Sequence, residues 1–134
     1  MINVNIVDVE PVLEVFDFDK SVLFYTKTLG FNLDWTWPET GPKEHGSVSF
    51  GGNPNDHSIE HFHLHLSKSE TKVTPSGWIY IRIGPEIDDL YDYYKSLNVS
   101  IIVKLDNYPW QMREFMIEDI DGNRIKFGYN YLEH

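Results

Sequence analysis

Cysteine is missing altogether from these 134 residues. That removes disulfide scaffolds, thiolate metal sites and cysteine nucleophiles from consideration. Long apolar runs are missing too: nothing approaches the roughly 18 residues that a membrane-spanning helix needs, so no membrane partner is expected. The amino terminus, from Met1 to Asp8, has neither the basic region nor the continuous apolar stretch of a signal peptide, and a cytoplasmic location is expected. Basic residues are scarce: 11 Lys and Arg stand against 21 Asp and Glu, a formal net charge of -10. Nucleic acid needs a basic surface and is not expected as a partner, whereas a cationic ligand gains from the overall field. There is no phosphate loop, nucleophile elbow or zinc-protease histidine pair.

What is present is the composition of an ordinary globular domain, 41% hydrophobic and 24% charged, long enough to bury a modest core. Val12, Leu13, Val15 and Phe16 make a short strand-like run that stops near Asp17. Asp17 or Asp19 can cap a helix starting there. Val22, Tyr25 and Leu29 then recur at helical spacing, and Gly30 suits the left-handed residue after a helix. Phe31 to Trp37 alternates as a strand should, and Pro38 to Gly46 is a loop rich in breakers. Ser47 to Phe50 and Ile59 to Leu66 read as two more strands.

The order then repeats. Trp78 to Ile83 reads as a strand, and Pro85 suits a helix start. Ile87, Leu90, Tyr94 and Leu97 mark the buried face of a second helix that Asn98 can end. Val99 to Leu105, Met112 to Glu118 and Asn123 to Tyr129 supply three closing strands. The two helix ends, Gly30 and Asn98, lie about half the chain apart, so the pattern is two copies of a βαβββ unit. The fold class expected is α+β: a single domain over 1–131 made of modules at about 1–67 and 68–131. Leu132, Glu133 and His134 read as a cloning scar running into a purification tag and stand outside the functional reading.

The stretch Pro109-Trp110-Gln111-Met112-Arg113-Glu114-Phe115, followed by Asp119-Ile120-Asp121-Gly122-Asn123-Arg124-Ile125-Lys126-Phe127-Gly128, resembles the last two strands of the glyoxalase/bleomycin-resistance/extradiol-dioxygenase superfamily, also called vicinal oxygen chelate proteins. Glu10 to Asp17, Asp19 to Tyr25 and Leu29-Gly30-Phe31 are similar to the family's opening strand and helix. Pro11, shortly before Asp17, is particularly like the bleomycin-resistance branch. The resemblance implies two sheets joined into a curved surface around a cleft. It puts the four metal positions of the family at Glu10, Trp78, Glu60 and Lys126. Tryptophan and a protonated lysine are not ligands, and an ammonium repels a divalent ion, so neither a metal site nor another cofactor is expected.

A cleft without metal is suited to holding something. Strand alternation is expected to turn Glu10, Val12 and Glu14 to one face with Glu60 and Phe62, shared by Trp78, Tyr80 and Arg82 and lined on the far side by Arg124 and Lys126. Leu13, Val15, Ile79, Ile81, Ile125 and Phe127 are expected as core. Trp35, Trp37 and Trp110 add flat surfaces for a planar or cationic ligand. Resistance proteins of this branch are homodimers that sequester a glycopeptide antibiotic in grooves between subunits. The resemblance therefore implies metal-independent binding of a small cationic or aromatic molecule, with no catalytic residue assigned. Two alternatives are an isomerase-like enzyme using Glu60 as general base, with Lys126 or Arg124 stabilising developing negative charge, and a structural dimer without ligand.

His57, His61, His63 and His65 invite a metal reading. Successive same-side residues of one strand lie about 7 Å apart, too far to converge on a single zinc without another element. If Glu60 faces the cleft, His61, His63 and His65 point away from it as surface or interface residues. A slip of one residue reverses those faces.

Overall fold

The computed structural model describes residues 2–5, 9–51, 62–72 and 74–132. Glu60, His57 and His61 lie outside the described residues, as do Glu133 and His134. The chain forms two βαβββ modules, each a mixed four-stranded sheet, in a curved arrangement around a cleft. In the first module β1 (Val12–Val15) leads into α1 (Phe18–Leu23) and a π-helical turn (Phe24–Thr28). Then come β2 (Asn32–Trp37), β3 (His45–Phe50) and β4 (Phe62–Lys68). The second module runs through β5 (Trp78–Arg82), α2 (Ile87–Ser96), β6 (Ser100–Tyr108), β7 (Met112–Glu118) and β8 (Arg124–Asn130). Strand order is β1-β4-β3-β2 in one sheet and β5-β8-β7-β6 in the other, with only β1–β4 and β5–β8 parallel.

Local chemistry sets the ends of these elements. The Asp17 carboxylate accepts from the Lys20 amide at 3.1 Å and caps α1, satisfying one of the amides that a helix start leaves free. Gly30 (φ 82) and Asn98 (φ 58) take the left-handed conformation after the two helical segments, which a glycine or asparagine adopts at least cost. Leu97 differs from its expected place: it is exposed, and Val99 fills the core position instead. The helix ends one residue earlier than its apolar spacing suggests, so the chain turns before Leu97 reaches the sheet.

Both modules share one core. Val15, Tyr25, Leu64 and Leu66 from the first lie with Ile87, Tyr94, Phe115 and Phe127 from the second, all inaccessible to solvent. Phe50 meets Phe127 at 5.7 Å between ring centres, and the Tyr94 hydroxyl donates to the Leu29 carbonyl at 2.8 Å. The other face of each sheet carries polar side chains, among them Ser47, Ser49, His63 and His65 on the first and Glu114 and Lys126 on the second.

Candidate functional site

The register of β4 decides what stands on the open face of the first sheet. Val12 pairs with His65 and Leu13 with Leu66, so His65 and His63 share the face of Val12 while Leu64 and Leu66 enter the core. This reverses the expected phase of β4. Phe62 packs against the core and is not part of the open face, and His63 and His65 stand on that face. The signal was in the sequence: Phe62, Leu64 and Leu66 alternate with His63 and His65, and burying the apolar set fixes the histidines outside.

Those histidines are built into two polar chains. Glu10 Oε1 lies 3.2 Å from Nε2 of His65, and Nδ1 of His65 lies 3.1 Å from Nε2 of His45. Trp35 stacks on the His45 ring at 5.6 Å and meets His65 edge-on at 5.5 Å. In the second chain, Asp34 accepts from the Ser47 and Ser49 hydroxyls, both at 2.8 Å, and contacts His63 Nδ1 at 2.9 Å. Burial alone would raise the Asp34 carboxyl. The bonds from His63, Ser49 and Ser47 outweigh it and hold the group below the usual carboxylate value. A register shift between Leu33 and Trp35 is the device behind this. The one-residue bulge turns Asp34 to the same face as Trp35 and Trp37, which strict alternation forbids.

Trp35 and Trp37 stand 45% and 57% exposed. With Thr36, Glu39 and His45 they line a groove of about 550 Å³. Next to it, sharing Trp37 and His45, is a hollow lined by Glu44, Ser67, Lys68 and Glu70. The first sheet therefore presents two indoles with Glu39 in the groove and Glu44, Lys68 and Glu70 in the adjoining hollow.

The second sheet is organised around Glu114, 3% exposed. Its carboxylate accepts from the Tyr80 hydroxyl and, at 3.1 Å, from the Trp110 indole N–H, and lies 3.8 Å from Lys126 Nζ. Burial and the bond to Glu114 push the Tyr80 phenol up. Tyr80 crosses β8 over Gly128, where any β-carbon would collide with its hydroxyl. Trp110 stacks on Tyr108 at 5.1 Å, and Lys126 Nζ lies 5.6 Å from the Trp78 ring centre. Trp78, Arg82 and Arg124 are exposed on this sheet. The expected residues thus fall into two groups: Glu10, Trp35 and Trp37 on one sheet, and Trp78, Tyr80, Arg82, Trp110 and Lys126 on the other. Reading by motif missed Asp34, His45, Ser47, Ser49 and Glu114.

Of the four positions that the resemblance assigns to metal ligands, Glu10, Trp78 and Lys126 are described and Glu60 is not. Glu10 lies against His65, and Trp78 lies against Lys126. One pair is a carboxylate and an imidazole joined to each other; the other is an indole beneath an ammonium. That donor set does not fit a divalent ion. Among the described residues no group of three or more His, Cys, Asp or Glu could hold a metal ion.

A family model described as the Glyoxalase/Bleomycin resistance protein/Dioxygenase superfamily matches residues 9–127. No curated protein matches. Among solved structures, a glyoxalase-related enzyme from Clostridium phytofermentans is 25% identical, with a TM-score of 0.74 over 95% of this chain and 97% of that one. A bleomycin-binding protein from bleomycin-producing Streptomyces verticillus, complexed with copper(II)-bleomycin, is 24% identical, with a TM-score of 0.68 over 93% and 97%. A superfamily member from Sphaerobacter thermophilus is 22% identical, with a TM-score of 0.72 over 92% and 98%.

Proposed function

The chain belongs to the glyoxalase/bleomycin resistance protein/dioxygenase superfamily, and from that premise we propose that it binds a small, flat, cationic molecule without a metal ion and sequesters it as an antibiotic-resistance protein does. One observation carries this reading. Two exposed indoles, Trp35 and Trp37, line a groove beside which three carboxylates, Glu39, Glu44 and Glu70, outnumber one lysine, Lys68. Indole faces attract cations and stack on planar rings, and the excess of carboxylates and the net charge of -10 favour the same ligand. The likeness to a bleomycin-binding protein supports bleomycin as the first molecule to try.

A homodimer is part of the same proposal. The open face of the first sheet carries Glu10, Glu14 and Asp34, while that of the second mixes Arg82, Arg124 and Lys126 with Asp106, Glu114 and Glu118. Each also exposes large apolar side chains: Trp35 and Trp37 on one, Trp78 on the other. An acidic face against a more nearly neutral one, with shared apolar exposure, supports a pairing in which one copy's first sheet lies across its partner's second.

The test is a fluorescence titration with metal-free and copper-loaded bleomycin, followed by mass spectrometry of the recovered ligand. Saturable quenching is expected, and Trp35→Ala or Trp37→Ala should each weaken binding by about 0.5–1.5 kcal/mol, the worth of one aromatic contact. Ligand returned with a changed mass would move the protein to the enzymatic side of its family. No binding at micromolar concentration would overturn bleomycin sequestration.

A further inference from the structure

We propose that His45 selects the ligand of the Trp35–Trp37 groove through a bare ring nitrogen, so that the site takes cations carrying an N–H donor, such as ammonium or amidinium groups, in preference to permanently alkylated ones. This deepens the proposed function and rests on the groove being the ligand site.

One chain of contacts fixes where the protons stand. An ionised Glu10 has only acceptors, so the 3.2 Å contact is donated by Nε2 of His65. A neutral imidazole carries one N–H. Nδ1 of His65 is therefore an acceptor, and Nε2 of His45 donates across the 3.1 Å contact. That leaves neutral His45 with no hydrogen on Nδ1, and among the described residues this nitrogen has no hydrogen-bond partner. A carboxylate two groups away thus fixes where the lone pair stands, as a second partner fixes histidine tautomers elsewhere. Trp35 stacked on the ring fixes its plane, and His45 lines both the groove and the adjoining hollow. Burial, and then the neighbouring His65, hold His45 below the ordinary imidazole value, which keeps the acceptor in place near neutral pH.

In this inference the cation reaches that lone pair from within the groove that His45 lines. If it carries an N–H, it gains a charge-assisted hydrogen bond. If it is fully alkylated, the lone pair loses water and gains nothing. A bond to a charged group is worth roughly tenfold to a hundredfold in affinity.

The probes are naphthylmethylammonium and its N,N,N-trimethyl counterpart, titrated calorimetrically into the full chain at neutral pH. The wild type should bind the ammonium about tenfold or more tightly. His45→Leu should bind both alike. Glu10→Gln, at an exposed position, should narrow the difference, because an amide can donate to His65 and release the proton order. Long-range proton–nitrogen NMR of the ligand-free protein supplies an independent reading: a bare Nδ1 on His45 supports the inference, and a protonated Nδ1 overturns it whatever the probes do. Equal binding of the two probes with Nδ1 bare overturns the selectivity and leaves the groove standing. Binding of neither overturns the groove and this inference with it.

Discussion

Asp34 is the side chain on which the floor of the first sheet depends. Ser47 and Ser49 are 1% exposed, and each donates its hydroxyl to this carboxylate. Removing the acceptor leaves two buried donors unmatched, at a cost of about 1–3 kcal/mol. Asp34→Ala should therefore lower the urea midpoint at neutral pH by a corresponding amount. The sign of the pH effect comes from the lowered carboxyl. Between its folded value and the ordinary carboxylate value, the unfolded chain binds more protons than the folded one. Stability from Asp34 is thus complete above the ordinary value and drains away as pH falls through the lowered one. Urea curves at pH 7 and at about pH 3, near the ordinary carboxylate range, should show the gap between wild type and variant narrowing in acid. An unchanged gap would separate the stability of this floor from the charge on Asp34.

At the level of elements, the turn from β7 to β8 holds the modules together. Asp119, 5% exposed, accepts from the Tyr25 hydroxyl at 2.9 Å and from the backbone and side-chain nitrogens of Asn123. Asp121 reaches the Phe16 amide at 2.9 Å, and Asn123 donates to the Glu14 carbonyl at 2.9 Å. Gly122 (φ 87) turns the chain where a side chain would be strained. Tyr25→Phe keeps the ring in the core and deletes one donor to a buried carboxylate, so it should cost about 1–3 kcal/mol while leaving one cooperative transition. Loss of cooperativity would mean that the turn is the whole of the joint. The repeat, the helix stops at Gly30 and Asn98 and the core faces of β1, β5 and β8 were all legible, because each is a local or periodic signal, whereas the bonds this turn makes to the first module were not. The Asp34 bulge was not. Nothing in Asn32-Leu33-Asp34-Trp35 marks an extra residue, since the shift is set by pairing with β3. Glu114 was invisible for a similar reason: its partners Tyr80, Trp110 and Lys126 come from three separate segments.

The whole molecule carries its charge asymmetrically across two sheets, and that asymmetry governs how copies should meet. A chain with net charge -10 repels itself at long range, yet on the second sheet Arg82, Arg124 and Lys126 offset Asp106, Glu114 and Glu118, and this more nearly neutral face is the one proposed to accept the Glu10, Glu14 and Asp34 face of a partner. Contact between the open sheets would also cover Trp35, Trp37 and Trp78, each among the exposed large apolar residues. An interface held partly by rim charges weakens with salt, because the screening length shrinks from about 10 Å at 0.1 M to about 3 Å at 1 M. Analytical ultracentrifugation should therefore find a dimer whose dissociation constant rises between those two salt concentrations. Arg124→Glu places a like charge opposite the acidic face and should weaken the dimer further, with a matching loss of bleomycin-type binding if the groove is completed by the partner. Dimer loss with binding intact would confine the ligand to the first sheet of one subunit. A monomer at every concentration and salt would leave the indoles facing water, and would require the ligand alone to cover them.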